Sequence, residues 1–403
     1  MAYTNKTSNI GLGLLSFLLL SSSALGVVKL PSFLYFLSIT LFLFYSLVRK
    51  NKFNYSLSVF SFLLICLFSI IYNNPPYYFK SYYRFYAFLL VLVSFSPLLS
   101  TYYMRELRLS LFNSLIRFLL ILSVLSFFCF FVGINYFERL DIDGDLELAG
   151  QFSGLFKHSM QLAPFAAISS IYTFAKLLCS RRKSLKYAYG LLSCVCFGAT
   201  LLAASRGALL ALFFGLIYLI FQFCKKKKLK PHKYILVFLL FGILTYPIWG
   251  GLTSFVAQKN EYGQEHGGIM SSRERKNAAR LYEIQNHFFS GVGFSVVDES
   301  VDTVNRENGQ IEPNSSWLAV WSMTGIFGFV MFVYIFIVYV KKTIKISNIF
   351  LSTMYGGVLV FFSIHMFIEG YVFAAGSMQC VLFWLVIGCV DAVYIKESVS
   401  ILG

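Results

Sequence analysis

Arginine side chains at two points of the sequence have the type and spacing to bind a diphosphate. Arg206 follows Ser205 in a short break between two apolar runs, and Arg273, Lys276 and Arg280 occur at spacings of three and four. Residues at these spacings share one face of a helix. Because a guanidinium group is planar, permanently charged and suited to bidentate phosphate contacts, both points are candidate anion sites. The alternatives are a side chain extended to the lipid headgroups at Arg206 and a solvated helix face in the second cluster.

A second group of candidates consists of ionisable side chains close to the ends of apolar runs. His365 and Glu369 are four residues apart, which predicts that they lie on one helix face. Ionisable groups in membrane segments are costly to desolvate and often mark functional sites, although a structural His–Glu pair is the alternative. Further candidate substrate contacts near the outer membrane surface are Arg84, His158 and Arg275.

The positions of these side chains depend on helices that the composition places in a membrane. Of the 403 residues, 58% are hydrophobic, 19% aromatic and only 13% charged. A water-soluble domain, which is about 45–50% apolar, cannot bury that much apolar surface. Twelve apolar runs approach the length needed to cross a bilayer: 10–29, 31–48, 56–73, 84–103, 114–135, 159–178, 187–204, 208–223, 234–250, 317–340, 350–370 and 377–395. The sequence therefore predicts an all-α polytopic membrane protein, one membrane domain over 1–403 with about twelve transmembrane helices.

The charge distribution orients the predicted spans. Basic clusters follow the even-numbered spans, and they include Arg105 with Arg108 and the lysines of 225–233, whereas acids are frequent in 138–147 and 251–316. By the positive-inside rule both termini are cytoplasmic. We expect a multi-pass protein of a bacterial inner membrane. The net charge of +16 is thus explained by topology, and nucleic acid is not an expected partner.

The predicted periplasmic loop, residues 251–316 between spans 9 and 10, is the largest extramembrane segment. Residues 272–289 have helical character, with Leu281, Ile284 and Phe288 predicted to form an apolar stripe on an amphipathic helix at the membrane face. A Gly-Val-Gly turn follows at 291–293. No metal-binding, nucleotide-binding or hydrolase motif occurs in the sequence, so neither a cofactor nor a metal is expected.

Four segments resemble the O-antigen polymerase and O-antigen ligase superfamily of bacterial surface-polysaccharide assembly. They are GLFKHSMQLA (154–163), in which Met160 stands where asparagine is usual, TLLAASRGALLALF (200–213), SSRERKNAARLYEIQNHFFSGVG (271–293) and EPNSSWLAVWSMTGIFGFVMF (312–332). All four lie in residues 150–335, in the family's order.

The resemblance implies glycosyl transfer at the outer leaflet from an undecaprenyl-diphosphate-linked oligosaccharide, without a nucleotide sugar or a metal. Arg206 and Arg273 are then the expected contacts of the diphosphate, whose negative charge grows as it leaves the sugar. Membrane lipids and a chain-length regulator are further expected partners.

One departure from the family pattern bears on the acceptor. Ligases of the superfamily have a histidine, a presumed base, where this sequence has Asn314 followed by Ser315. This difference favours a polysaccharide repeat-unit polymerase, with Asn314 in the catalytic group, Ser315 as a substrate contact and Glu312 as a substitute base; a solvated carboxylate is the alternative for Glu312. The competing functions are an O-antigen ligase acting on lipid A-core, a flippase for lipid-linked oligosaccharides and a structural scaffold.

Overall fold

The computed structural model describes residues 6–48, 52–136, 152–240, 242, 271–300, 311 and 314–402. This part of the chain is mostly helical, and each of the twelve apolar runs overlaps at least one helix. The helices are α1 Lys6–Ser23, α2 Phe33–Leu47, α3 Leu57–Asn73, α4 Ser81–Phe95, α5 Tyr102–Val132, α6 Ser159–Cys179, α7 Lys183–Leu202, α8 Arg206–Lys226, α9 Pro231–Leu240, α10 Ser271–Asn286, α11 Ser316–Lys345, α12 Ile349–His365 and α13 Met378–Leu402. Two short strands, β1 Asn54–Tyr55 and β2 Leu99–Ser100, pair antiparallel.

Length and hydropathy separate these helices into two groups. Within the described residues, six helices (α5, α6, α7, α8, α11 and α13) are long and apolar enough to cross a membrane. The helices α1, α2, α3, α9 and α12 are apolar but have shorter hydrophobic stretches of 10–17 residues. The all-α class with several membrane-spanning helices is confirmed, and the number of twelve spans stays a prediction.

The chain divides into two compact units, each assembled from separate stretches of sequence. Unit 1 contains Met1–Pro31, Asn113–Ile269 and Thr343–His365. Unit 2 contains Ser32–Phe112, Met270–Lys342 and Met366–Gly403. Arg206 therefore belongs to unit 1, whereas Arg273, Asn314 and Glu369 belong to unit 2.

Unit 1 is built around α6, α7, α8 and α12. Small residues allow α8 and α12 to approach closely, because a Cβ added to Gly215 would lie 3.0 Å from the carbonyl oxygen of Gly357. Close backbone approach at small residues is a common way to pack helices in a membrane, where the hydrophobic effect provides no attraction between them. The α8 helix that begins at Arg206 is therefore held on a tightly packed scaffold.

Unit 2 has an aromatic core that the functional residues adjoin. The Phe373 ring packs against Phe294 with centroids 4.9 Å apart and against Phe88 at 5.4 Å. Trp384 joins the cluster through Phe88 at 5.9 Å. Edge-to-face and tilted pairs at these distances are favourable beyond their buried area. The cluster anchors the segment before α13 and the segment after α10 to the same core.

Arg108 has a structural position that the charge pattern did not predict. The sequence placed it in a basic cytoplasmic cluster after the fourth span, but it lies inside α5 and is fully buried. Its Nε donates to Ser94 O at 2.9 Å, and its Nη2 donates to Val93 O at 3.0 Å and Leu99 O at 2.7 Å. The carbonyls at the end of α4 lack partners in their own helix, so this guanidinium satisfies them.

The predicted helix of the loop is present as α10. Leu281 and Phe288 are 50% and 41% exposed, and Ile284 is buried, so contact of the apolar stripe with the membrane face stays a prediction. The buried face of the helix passes through Ala279, Arg280, Glu283 and Ile284, and it contains an ion pair. Residues 251–270, Glu312 and the acids of 138–147 lie outside the described residues.

Candidate functional site

The basic face of α10 is turned toward the protein. Arg273 and Lys276 are partly buried, and Arg280 is 2% exposed, whereas Arg275 on the other side of the helix is exposed. The spacing of three and four residues had placed the first three on one face, and the structure confirms it. A solvated helix face, the alternative drawn from the sequence, does not hold for Arg280.

Arg280 and Glu283 form an ion pair in the interior of unit 2. The Arg280 Nη1 lies 2.8 Å from Glu283 Oε2, and the two side chains are 3% and 0% exposed. The same nitrogen donates to Val296 O and Ser322 Oγ, both at 3.1 Å. Glu283 Oε1 accepts from the Asp298 backbone N–H at 2.8 Å. These contacts connect α10 to the following segment and to α11, which makes Arg280 a packing residue in this structure.

Arg273, about two turns before Arg280 at the other end of the basic face, forms a more accessible ion pair. Its Nη2 lies 2.7 Å from Glu369 Oε1, and its Nη1 donates to Ile368 O at 3.0 Å. The side chains of Arg273 and Glu369 are 29% and 16% exposed, so the ion pair is accessible from outside the protein. The structure thus joins two residues that the sequence assigned to different candidate sites.

Asn314 lies beside Arg273, as expected for two members of one site. The Asn314 side-chain amide donates to Arg273 O at 3.2 Å and to Asn277 Oδ1 at 2.8 Å. Its φ of 57° is left-handed, a conformation that asparagine tolerates better than most residues. The amide orients α10 against the start of α11.

The two serines after Asn314 hold the chain that carries Glu369. Ser315 is buried, and its Oγ donates to Met366 O at 3.2 Å. The Ser316 Oγ donates to Glu369 O at 2.7 Å and accepts from the Tyr371 N–H at 3.0 Å. The backbone carbonyls of Met366 and Glu369 thus accept hydrogen bonds from serines and not from a following helical turn. Burial and the Glu369 carboxylate raise the pKa of Tyr371, which keeps this phenol neutral.

The prediction that His365 and Glu369 lie on one helix face is wrong. The α12 helix ends at His365, and Glu369 lies in the irregular chain that follows. His365 is 1% exposed and stacks on Phe361 with centroids 5.2 Å apart. Glu369 instead pairs with Arg273. The sequence lacked a signal for this change because the apolar run continues to about residue 370.

The Gly-Val-Gly turn packs against a break in α11 at Gly325. Gly325 has φ 68° and ψ −175°, a conformation essentially restricted to glycine, and a Cβ there would overlap the Phe289 carbonyl. The break exposes carbonyls of α11, and the backbone N–H groups of Val292 and Gly293 donate to Ser322 O at 2.8 Å and Met323 O at 3.2 Å. The Gly-Val-Gly turn predicted from the sequence and Gly325, which lies in the fourth family-like segment, are therefore parts of one interlocked element.

Arg84 lines a cavity of about 270 Å³ in unit 2. Its side chain is half-buried, and its Nη1 donates to Ser295 Oγ at 3.1 Å. Ser316, whose hydroxyl contacts the Glu369 backbone, also lines the cavity. The sequence predicted Arg84 as a substrate contact; the structure places it at a cavity, and the contact with substrate stays a prediction.

Arg206 begins α8 in unit 1. Only Ala203, Ala204 and Ser205 separate α7 from α8, and the left-handed Ala204, with φ 50°, donates its N–H to Leu201 O at 2.9 Å. The Ser205 side chain makes no capping hydrogen bond. The first N–H groups of a helix lack partners in the helix and favour an anion, so the backbone and the Arg206 side chain offer positive potential at one place.

His158 is the N-cap residue of α6. Its Nδ1 accepts from the Met160 backbone N–H at 3.1 Å. This bond satisfies one of the helix's otherwise unpaired N–H groups, so the structure gives His158 a capping role. A substrate contact through its other ring nitrogen stays a prediction. Within the described ranges, no three His, Cys, Asp or Glu side chains are grouped as a metal site requires.

These features define a helical, multi-pass membrane protein in which Arg273, Asn314 and Glu369 of unit 2 lie together near a broken helix. Residues 191–333 match the family model of the O-antigen ligases. The matched stretch contains Arg206, Arg273, Asn314 and Gly325, so the resemblance to the O-antigen ligase and polymerase superfamily is confirmed over that stretch. No curated protein matches the chain. The match supports a glycosyltransferase-like enzyme of the ligase or polymerase type.

Proposed function

We propose that this chain is a polysaccharide repeat-unit polymerase. It transfers a glycan from undecaprenyl diphosphate to another lipid-linked repeat on the outer face of the bacterial inner membrane, and both of its termini are cytoplasmic. The observation that carries the proposal is the pairing of Arg273 with Glu369 beside Asn314. Arg273 and Asn314 lie within the stretch that matches the O-antigen ligases, and Glu369 lies outside it.

The reaction would place negative charge where Arg273 is available. An acceptor hydroxyl oxygen bonds to the anomeric carbon, the bond from that carbon to the diphosphate oxygen breaks, and the hydroxyl proton passes to a base. The departing diphosphate gains charge that a fixed guanidinium offsets. Because the Arg273–Glu369 pair is partly exposed, a phosphate oxygen can replace the carboxylate without removing a deeply buried partner. Arg206 is the second proposed diphosphate contact.

The residue at position 314 supports a polymerase over a ligase. Its amide has no basic atom at neutral pH, and it already bonds to Arg273 O and Asn277. The histidine expected of a ligase at this place is therefore replaced by a group that orients the backbone. Glu312 is the proposed base. Transfer to lipid A-core by a ligase is the alternative with the same bond chemistry.

Reconstitution tests the proposal directly. The purified full chain is placed in vesicles with undecaprenyl-diphosphate-linked repeats, and the products are separated by length. Elongation without any other acceptor is expected. Products that form only when lipid A-core is added would contradict the polymerase and indicate the ligase.

Deletion of the gene gives an independent result in cells. Single repeats attached to lipid A-core are expected, whereas long polymer that still accumulates on the carrier would overturn the proposal. An Arg206→Lys variant should show translocated single repeats without chain extension. Accumulation of repeats on the cytoplasmic side would indicate a flippase.

A further inference from the structure

The cavity beside Arg84 has a lining that suits one sugar ring. Its volume of about 270 Å³ is slightly below the roughly 300–1,000 Å³ of sites for drug-sized ligands, which favours a single ring over an oligosaccharide. Phe36 and Phe373 contribute aromatic surface, whereas Arg84, Ser295 and Ser316 contribute polar atoms. A pyranose has apolar C–H faces and a rim of hydroxyl oxygens, so it matches a mostly apolar wall with a few placed polar groups.

The polar and aromatic walls are both held in position. Arg84 Nη1 is directed by its hydrogen bond to Ser295 Oγ. Phe373 is fixed by its contacts with Phe294 and Phe88. A cavity formed by ordered side chains loses little conformational entropy when a ligand enters. An isoprenoid chain would offer no acceptor to the guanidinium, which disfavours the carrier lipid as the occupant.

The cavity lies beside the chain segment that contains Glu369, the ion-pair partner of Arg273. Gly370, which lines the cavity, directly follows Glu369, and Glu369 pairs with Arg273. Ser316 connects the two places as well, because it lines the cavity and its hydroxyl donates to Glu369 O. A glycan whose diphosphate end lies at Arg273 is therefore close to a compartment sized for one of its sugars.

We infer that this cavity binds one sugar ring of the lipid-linked glycan, with Arg84 donating hydrogen bonds to ring hydroxyl oxygens. The inference rests on the proposed function for the identity of the glycan. It makes Arg84 a specificity-determining contact that lies outside the stretch matched by the O-antigen ligase family.

Binding of a lipid-free sugar tests the inference without requiring turnover. The probe is the repeat-unit oligosaccharide prepared from the host's own surface polysaccharide, titrated calorimetrically into the full chain in nanodiscs. Arg84→Gln should weaken binding about tenfold, which corresponds to about 1.4 kcal/mol. Ala87→Phe, which adds a ring at the cavity wall, should abolish it. Thermal unfolding checks that both variants are folded.

A matched control separates the cavity from general effects on the helix. Lys80→Gln removes one exposed positive charge at the start of the same helix and should bind like the wild type. Equal binding by the wild type and both test variants, or no binding by the wild type, would overturn the inference. The inference would also be overturned if Ala87→Phe lost binding of undecaprenyl phosphate while it still bound the oligosaccharide.

The outcomes also separate this inference from the proposed function. If the wild type binds the oligosaccharide through Arg84 but does not elongate lipid-linked repeats, the polymerase proposal fails and the sugar site stands. If Ala87→Phe elongates repeats as the wild type does, the sugar site fails and the polymerase stands.

Discussion

The two ends of the basic face of α10 have the same residue types in different surroundings. Arg280 pairs with Glu283 where both side chains are almost fully buried, whereas Arg273 pairs with Glu369 where they are 29% and 16% exposed. Burial makes the first pair costly to separate, because either partner left alone is an uncompensated charge. The second pair is screened and can exchange its partner. Of two arginines seven residues apart on one helix, Arg280 thus packs the interior, and Arg273 is the one that we propose for chemistry.

The largest expected effect comes from breaking the buried pair. Arg280→Met leaves Glu283 as a buried charge without its ionic partner, and we expect a loss of about 3–5 kcal/mol in the free energy of unfolding. Equilibrium unfolding in mixed micelles measures it. A loss smaller than that of Arg273→Gln would show that the assignment of the two arginines is reversed.

A double variant serves as the control for that measurement. Arg280→Met combined with Glu283→Leu removes both charges, so it should recover much of the lost stability. Failure to recover would mean that the hydrogen bonds of this pair to Val296, Ser322 and Asp298 contribute more than the ion pair itself.

The next effect is on transfer. Arg273→Gln removes the guanidinium from the diphosphate contact while leaving a partly exposed site, so we expect a 10²–10³-fold lower rate, about 2.7–4 kcal/mol in the barrier, with little change in unfolding. Chain elongation in reconstituted vesicles measures it. Lys80→Gln, which removes one exposed positive charge outside α10, is the control and should keep its activity. Equal losses in the two variants would point to nonspecific charge.

The smallest effect is expected at the partner carboxylate. Glu369→Gln should change the free energy of unfolding by less than about 1 kcal/mol, because exposed ion pairs contribute little. The amide can still accept a hydrogen bond from Arg273. Glu274→Gln, an exposed position of α10, is the control in the same unfolding measurement. A loss as large as that of Arg280→Met would contradict the contrast between the two ends of α10.

Much of the site was predictable from residue types and spacing. The basic face of α10 and the Gly-Val-Gly turn follow from local patterns, and the family resemblance alone put Arg273 and Asn314 in one catalytic group. The partners of these residues were not predictable. Glu283 was read as part of an ordinary amphipathic helix, and Glu369 was assigned to the helix of His365, because a hydropathy pattern contains no information on which distant segment supplies a hydrogen bond.

The sequence by itself determined that the chain is helical with several apolar spans and that residues 191–333 resemble the O-antigen ligases, because apolar runs and short arginine and glycine motifs are local properties. Only the tertiary structure decided which arginine is buried, where α12 ends and that Arg84 borders a cavity. Those features depend on contacts between segments far apart in the chain, such as Ser316 with Glu369 and Arg84 with Ser295. Desolvation and hydrogen bonding at those contacts, which no single segment encodes, set the role of each charged side chain.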